Sequence, residues 1–419
     1  MVSTETGARA GAKVNTGYGW VVLGVVFLAG LCAPANMAKV TTLAPILMEV
    51  FGIGPGLIGW VIALFYVLGF VMSFPTAGLA NKFGIKKIVI AALCLSIVGG
   101  VIGAFSTSLP LFMASRVLEG AGMGIMGTIG IPAISPWFAP SKQGLPMGIW
   151  GMWVSVPMFV GPIVYTAIYE STGAWQPVWY FTIGLSVVAL VVFSIFYKDP
   201  TYRFDENEQA VALDAAQGIE LEKPSIKRAL KLPVVWVLAI VILLDNSAFM
   251  AVQGFMTTYV YDFLGVSLGV AAALVSAAAV IGAVMSPVAG AVSDKIHSRR
   301  IVLLVSYVCA CVYMWFVFDA AGLGLAIYVP VVVLMGVACG AAGSMQWAIC
   351  GEAVAPELQS GAMGVLAFAQ NLGMFFGAAF FGAIVEGMGG DWAFASHAIL
   401  LPIYVVVILI VVFNWKRLP

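Results

Sequence analysis

The chain has 419 residues, of which 62% are hydrophobic and only 9% are charged, and its formal net charge is zero. A water-soluble protein of this size could not bury so much apolar surface, so most of the chain must be solvated by lipid. The zero net charge gives no basic field that would attract nucleic acid. The six cysteines all fall in apolar stretches, which is typical of small packing residues rather than of disulfides or a zinc site.

Long apolar segments follow a polar N-terminal tail, 1–17. A helix needs about 20 apolar residues to cross the hydrocarbon layer. We predict twelve membrane helices, called span 1 to span 12, at about 18–43, 54–80, 86–107, 109–136, 145–169, 175–197, 232–261, 265–292, 300–319, 323–351, 359–386 and 392–415.

The one long polar segment, 198–231, separates span 6 from span 7, and we interpret it as a solvated cytoplasmic linker with room for a short surface helix. The predicted fold class is therefore an all-α polytopic membrane protein with twelve transmembrane helices. Its two pseudo-symmetric six-helix bundles occupy 18–197 and 232–415, and residues 416–419 form a C-terminal tail.

The basic residues predict the orientation of the chain. With the N-terminus in the cytoplasm, every one of the 19 Lys and Arg residues lies on the cytoplasmic side except Lys39 and Arg116, which fall within spans. Cytoplasmic loops of membrane proteins carry this excess of positive charge. We therefore expect a multi-pass protein of the inner (cytoplasmic) membrane with both termini inside.

The two halves of the chain repeat each other. Segment "APSKQGLPMGIWGMWVSVPMFVG" (139–161) matches "APELQSGAMGVLAFAQNLGMFFG" (355–377) at an offset of 216 residues, and "GFVMS" (69–73) matches "GAVMS" (282–286) at an offset of 213. Paired repeats are typical of transporters that rock two halves about a central site. No reactive constellation indicates an enzyme, and no G-x-x-x-x-G-K-[ST] loop indicates ATP drive.

The loop after span 2, "AGLANKFGIK" (77–86), and its second copy, "GAVSDKIHSRR" (290–300), resemble the gating loops of the major facilitator superfamily. Segment "RVLEGAGMG" in span 4 is similar to another pattern of that family, and "NMAKV" (36–40) resembles its bacterial carriers of small organic or inorganic anions. The resemblance covers the whole chain. It implies that spans 1, 4, 7 and 10 line a central cavity and that charged pairs in the two loops gate the inner face.

The candidate gating residues share these two loops: Asn81, Lys82, Gly84, Lys86, Asp294, Lys295, Arg299 and Arg300. Asn81 stands where the family has an acidic residue, and His297 stands where it has a second glycine.

Four charged residues lie within spans: Lys39, Arg116, Glu119 and Asp245. Such residues face a protein interior or a wet cavity. Arg116 and Glu119 share a helix face and form either a gating or proton-linked pair or a structural ion pair. Lys39, near the outer end of predicted span 1, either snorkels to the interface or contacts a substrate anion.

Asp245 lies near the middle of span 7, where snorkelling cannot reach water. A carboxylate without water around it holds a proton more tightly than one in solution. Asp245 is therefore either a proton-coupling site or the buried partner of Arg116 or Lys39. The uncharged substrate-binding candidates are also within spans: Asn36, Asn246, Gln253, Gln370, Asn371, and Trp150 with Trp153, which either pack or flank a planar solute.

Together these features predict a secondary active transporter that moves a small polar solute by alternating access. The favoured substrate is a small organic anion held by Arg116 or Lys39. Protons or a counter-transported anion would couple transport. We expect no cofactor, metal or nucleic-acid partner, and a monomer in the lipid bilayer. The alternatives are a proton-coupled exporter of cationic or amphipathic compounds, using Asp245 and Glu119, and a ligand-binding membrane sensor without flux.

Overall fold

The computed structural model describes residues 16–200, 202–204, 210–212, 226–319, 324, 326 and 328–415. The helices are α1 (Thr16–Phe51), α2 (Pro55–Ala63), α3 (Phe65–Met72), α4 (Pro75–Phe83), α5 (Ile85–Ala104), α6 (Leu109–Glu119), α7 (Ala121–Ile134), α8 (Gly144–Gly151), α9 (Ser155–Thr172), α10 (Gln176–Phe196), α11 (Ile226–Ala229), α12 (Pro233–Leu264), α13 (Leu268–Ile296), α14 (Arg299–Phe316), α15 (Tyr328–Ala353), α16 (Pro356–Gly387), α17 (Trp392–Ala395) and α18 (Leu401–Phe413).

Within the described residues, twelve helical segments are long and apolar enough to cross a membrane, and they correspond to spans 1 to 12. Their bounds are Gly17–Phe51, Pro55–Met72, Ile85–Ala104, Leu109–Trp137, Gly144–Thr172, Gln176–Phe196, Pro233–Leu264, Leu268–Ile296, Arg299–Phe316, Tyr328–Ala353, Gly361–Gly387 and Trp392–Phe413. The predicted all-α fold with twelve spans is confirmed.

Span 1 is longer than predicted. The helix continues through Pro34 and Pro45 and ends at Phe51, before Gly52 takes a left-handed φ of 61°. A proline removes one helical hydrogen bond, but a membrane helix packed among neighbours tolerates that loss. Lys39 therefore lies well inside the span rather than near its outer end.

The predicted repeat is visible in how the helices pack. In the first half, the Cα of Gly124 in span 4 has no room for a side chain because the backbone of Gly69 in span 2 lies against it. In the second half, Gly340 in span 10 lies in the same way against Gly282 in span 8. Small residues permit such close helix contacts in membranes, and the four glycines occupy equivalent positions in the two copies.

The linker contains a short antiparallel hairpin, β1 (Tyr202–Phe204) with β2 (Ala210–Ala212), and the four-residue helix α11. The hairpin pairs Tyr202 with Ala212 and is a local addition to the helical fold. Most of the predicted linker, residues 1–15 of the N-terminal tail and the C-terminal tail 416–419 lie outside the described residues.

The two halves meet where span 1 packs on span 7, span 2 on span 11 and span 5 on span 8. Because successive spans cross in opposite directions, the start of span 1 and the end of span 12 lie at the same face of the bundle. We call this the proximal face. The opposite face, which includes the turns after spans 1, 5, 7 and 11, is the distal face.

Candidate functional site

A cluster of charged side chains lies inside the first half, among spans 1, 4 and 6. Lys39 Nζ lies 2.6 Å from Glu119 Oε1, and it also donates to Asn36 Oδ1 at 2.7 Å and Thr182 Oγ1 at 3.2 Å. The second carboxylate oxygen of Glu119 accepts from Arg116 Nη1. Glu119 therefore joins two cations on two different spans, and we call Lys39, Arg116 and Glu119 the buried triad.

The buried triad has almost no contact with solvent. Lys39 and Glu119 are 0% exposed and Arg116 is 1% exposed. Aromatic rings cover both cations: Lys39 Nζ lies 4.6 Å from the ring centre of Trp179, and the Arg116 guanidinium carbon lies 4.9 Å from that of Phe65. Cation–π attraction offsets part of the desolvation cost. The predicted alternative that Lys39 snorkels to the interface is wrong, because its helix continues past it for three more turns.

The local sequence explains how these side chains converge. Asn36 and Lys39, like Arg116 and Glu119, are three residues apart and so lie on one helix face. Gly120 follows Glu119, and its Cα lies against the carbonyl oxygen of Phe65, where a side chain would collide. This contact brings span 4 close enough to span 2 for the guanidinium of Arg116 to lie over the Phe65 ring.

Two cations face one carboxylate in the triad, so its ionised form carries one excess positive charge. The Nε of Arg116 has no hydrogen-bond partner within the part of the chain that the structure describes. A buried donor without a partner is costly. The site is therefore suited to an additional oxygen acceptor, such as an anion or a water molecule.

Asp245 belongs to a second polar network, inside the other half. Gln346 Nε2 in span 10 donates to Asp245 Oδ2 at 2.6 Å, and Tyr404 Oη in span 12 donates to Oδ1 at 3.0 Å. The same Gln346 nitrogen lies 2.8 Å from Tyr307 Oη in span 9. Asp245 is partly buried, while the other three residues are buried.

Asp245 makes none of the ion pairs found among the described residues. The predicted alternative that it pairs with Arg116 or Lys39 is wrong, since Glu119 takes both cations. Neutral donors stabilise a carboxylate less than a cation does, and a tyrosine hydroxyl can also accept a hydrogen bond. The network can thus hold Asp245 either ionised or protonated.

Sequence reasoning missed Gln346, Tyr307 and Tyr404. Gln346 carried a signal, because an amide in the middle of an apolar span needs a partner. Tyr307 and Tyr404 carried no signal that distinguished them from the other tyrosines among the 13 in the chain, since a buried tyrosine hydroxyl can take many different partners.

The remaining polar candidates are spread through the molecule. Asn246 and Asn371 donate to carbonyl oxygens of their own helices, those of Ile242 and Ala367, both at 2.9 Å. Gln253 is buried in span 7, one turn beyond Met250, and Gln370 is partly buried in span 11. None of these four residues contacts the buried triad through a hydrogen bond within the described ranges.

Trp150 and Trp153 stack on each other, with ring centres 5.3 Å apart and planes 6° from parallel. Trp150 is buried between span 1 and span 4, against Gly30 and Gly130. This placement favours the packing alternative over contact with a planar solute.

The candidate gating loops differ between the halves. In the second copy, Arg299 bonds to Asp294 at 3.0 Å and to Glu352 at 2.5 Å, tying span 8 to span 10. His297 takes a left-handed φ of 51°, which matches the role of Gly84 (φ 84°) in the first copy. Arg300 Nη1 donates to the carbonyl oxygen of Trp415, and Lys295 is exposed.

In the first copy, Lys82 lies over the ring of Phe83, and neither Lys82 nor Lys86 forms an ion pair with another described residue. Asn81 does have a contact of its own. The charged pairs expected of this loop are thus present in the second half, where the acidic residue is retained.

Comparison with known proteins agrees with this architecture. A model of the Major Facilitator Superfamily matches residues 26–378. The chain is 26% identical over 338 residues to the probable nitrate/nitrite transporter NarK2 of Mycobacterium tuberculosis (strain ATCC 25618 / H37Rv), covering 76% of this chain and 77% of that protein. It is 34% identical over 203 residues to the uncharacterized MFS-type transporter YfiU of Bacillus subtilis (strain 168), covering 48% of this chain but only 37% of that protein.

Solved structures share the fold over nearly the whole chain. A bacterial homologue of the human lysosomal transporter Spinster aligns with a TM-score of 0.72 at 15% identity, covering 97% of each chain. The nucleoside transporter NupG aligns with a TM-score of 0.74 at 14% identity, covering 94% of this chain and 99% of that one. At these identities the likeness concerns the fold alone.

Proposed function

The chain belongs to the Major Facilitator Superfamily, and we propose that it is a secondary active transporter of a small organic anion. On this proposal the anion crosses the cytoplasmic membrane by alternating access, with the two halves rocking about a central site. The termini and the linker lie in the cytoplasm, as the distribution of basic residues favours.

The excess positive charge of the buried triad is the observation that carries the anion proposal. Two buried cations share one carboxylate, and no described residue accepts a hydrogen bond from Arg116 Nε. A planar carboxylate matches the fork of a guanidinium and forms charge-assisted hydrogen bonds with it. The relative NarK2, whose name states nitrate and nitrite, supports a small anion as the substrate, although those two ions are inorganic.

A thermal-stability screen of the purified protein tests the substrate class. The panel contains monocarboxylates, dicarboxylates, nitrate, nitrite and organic cations. A ligand at 100 times its Kd stabilises the folded state by about 2.7 kcal/mol, and we expect the largest shift from a monocarboxylate. Uptake of that anion into proteoliposomes then measures transport.

Lys39→Gln is the matched variant for this screen. It removes the excess positive charge but leaves the Arg116–Glu119 pair, so the anion-dependent shift should disappear while the fold remains. Stabilisation by cations alone would contradict the proposal and favour the exporter. Stabilisation by an anion without uptake would favour the sensor.

We further propose that Asp245 carries the coupling proton. It is partly buried, and its carboxylate is bonded to Gln346 and Tyr404 rather than to a cation. A carboxylate in this setting changes charge more readily than one held in an ion pair. The same observation favours a second candidate function, the proton-coupled export of a cation, because a cation could replace the proton at Asp245.

Asp245→Asn separates coupling from binding. The amide is nearly isosteric with the protonated acid and cannot titrate, so the variant should exchange substrate across the membrane but lose accumulation driven by a pH gradient. Asp262→Asn, at the exposed distal end of the same span, is the control and should accumulate substrate like the parent. An Asp245→Asn variant that still concentrates substrate would remove Asp245 from the coupling mechanism.

A further inference from the structure

Two glutamates connect the halves at the distal face. Glu386, near the end of span 11, accepts a hydrogen bond from Gly56 N at 2.8 Å, and Gly56 belongs to the first turn of span 2. Glu170, near the end of span 5, accepts from Gly269 N at 3.3 Å, in the first turn of span 8. Each glutamate therefore bonds to the N-terminus of a helix in the opposite half.

The two contacts are copies of each other. The offset of 216 residues that relates the repeated segments also relates Glu170 to Glu386, and the offset of 213 relates Gly56 to Gly269. In both cases the acceptor meets the amide of the second helical residue. That residue is a glycine in both copies, and a Cβ would lie 2.7 Å from the carboxylate of Glu386 and 3.1 Å from that of Glu170.

The electrostatics of a helix N-terminus explain why a carboxylate belongs there. The first amides of a helix have no partner within the helix, and the helix dipole places positive charge at that end. Neither Glu170 nor Glu386 takes part in an ion pair with any other described residue. Both side chains are exposed, and their hydrogen bonds to the opposite half are the polar contacts that the described residues provide for them.

Spans 2 and 8 differ in whether they have an N-terminal cap of their own. Span 8 begins with its own cap, Ser267, whose side chain accepts from Val270 N. The equivalent residue before span 2 is Gly54, which has no side chain to cap the helix. Glu386 thus provides from the opposite half the cap that span 2 lacks, and its hydrogen bond is the shorter of the two.

We propose that these two distal contacts hold the distal face closed, and that they must break whenever the halves rock to open that face. Spans 2 and 11 touch directly beside them, where Gly382 lies against the carbonyl oxygen of Pro55. The distal contacts therefore set the balance between the closed and open distal face, with Glu386 contributing more than Glu170. This inference does not depend on the identity of the substrate.

The test measures the distance between spin labels across the distal face, in a background that lacks the native cysteines. Val50→Cys and Phe263→Cys place the labels at exposed ends of span 1 and span 7. A charge at a helix terminus is a modest surface interaction, so Glu386→Gln should raise the open population about fivefold. Glu170→Gln should raise it less, and the double variant should raise it most.

Asp391→Asn is the matched control. Asp391 is also an exposed carboxylate at the distal face, but it caps Phe394 N at 2.9 Å within its own half. It should leave the distance distribution unchanged. Equal distributions for Glu386→Gln, Glu170→Gln and this control would overturn the proposal.

A second pair of variants separates bridging from simple helix capping. Gly54→Ser gives span 2 a cap of its own, as Ser267 does for span 8. In the Glu386→Ala background it should restore the melting temperature but leave the distal face open. If it restored the closed distance distribution as well, Glu386 would act only as a cap, and the bridging role would be refuted.

Discussion

Glu119→Gln should be among the most damaging conservative substitutions in this protein. Glu119 is the shared partner of Lys39 and Arg116, and all three side chains are at most 1% exposed. Glutamine preserves the shape but removes the negative charge, so the number of uncompensated buried cations rises from one to two. Breaking a buried pair by removing one partner costs about 3–5 kcal/mol, and we expect a loss of that size.

Lys39→Gln gives the opposite balance. It leaves Arg116 and Glu119 as one compensated pair and loses only the hydrogen bonds of the ammonium group. We expect it to cost about 1–2 kcal/mol, less than Glu119→Gln. In the double variant Lys39→Gln/Glu119→Gln, Arg116 is the one buried cation of the triad without a counterion, and the parent likewise has one excess positive charge. The two losses of unfolding free energy should therefore not add. Residues in one network typically couple by about 0.5–3 kcal/mol.

Thermal unfolding in detergent, followed by the fluorescence of the 12 tryptophans, measures this series. Glu352→Gln is the exposed control: Glu352 also binds an arginine, Arg299, but it is 44% exposed. Ion pairs at such sites contribute at most about 1 kcal/mol. If Glu119→Gln lowered the melting temperature no more than Glu352→Gln does, Glu119 would not be the counterion that the geometry indicates.

Three further outcomes are expected. Arg116→Lys should recover only part of the transport lost in Arg116→Ala, because lysine keeps the charge but not the planar fork; equal uptake by Arg116→Lys and the parent would exclude a bidentate role. A cysteine at Ala210 in a cysteine-free background should resist membrane-impermeant reagents in intact cells, and strong labelling from outside would contradict the cytoplasmic linker. Gly120→Ala should lower expression and melting temperature because its methyl group meets the Phe65 carbonyl. Gly127→Ala should be tolerated because the space around Gly127 is open. Similar melting temperatures for the two variants would refute the close contact.

Much of the architecture could be predicted because it depends on composition and periodicity. The number of spans and their order follow from apolar length alone, and the repeat follows from matched segments at nearly equal offsets. The position of Lys39 could not be predicted in this way. The assumption that span 1 ends before Pro45 placed Lys39 near the interface, and only the packed helix shows that the chain continues to Phe51.

The partners of the buried charges depend on how the helices are rotated about their axes, which a single sequence does not determine. Arg116 and Glu119 were predicted to interact because they are neighbours on one helix. The bond from Lys39 to Glu119 joins two spans that are 80 residues apart in the sequence. Asp245 is separated in sequence from its partners Gln346 and Tyr404 by even more, 101 and 159 residues.

The repeat preserves the packing of the two halves but not their chemistry. The glycine contacts and the distal glutamates recur at equivalent positions, whereas the position equivalent to Lys39 in the second half is Val252 and the position equivalent to Asp245 in the first half is Cys32. Rocking needs two halves that close against each other in a similar way, and shared packing serves that need. A ligand shifts the balance between two orientations only when it binds them with different affinity. On the function proposed above, such binding would use the chemistry that differs between the halves: the excess positive charge of the buried triad in the first half and, in the second half, the carboxylate of Asp245, which forms no ion pair with another described residue.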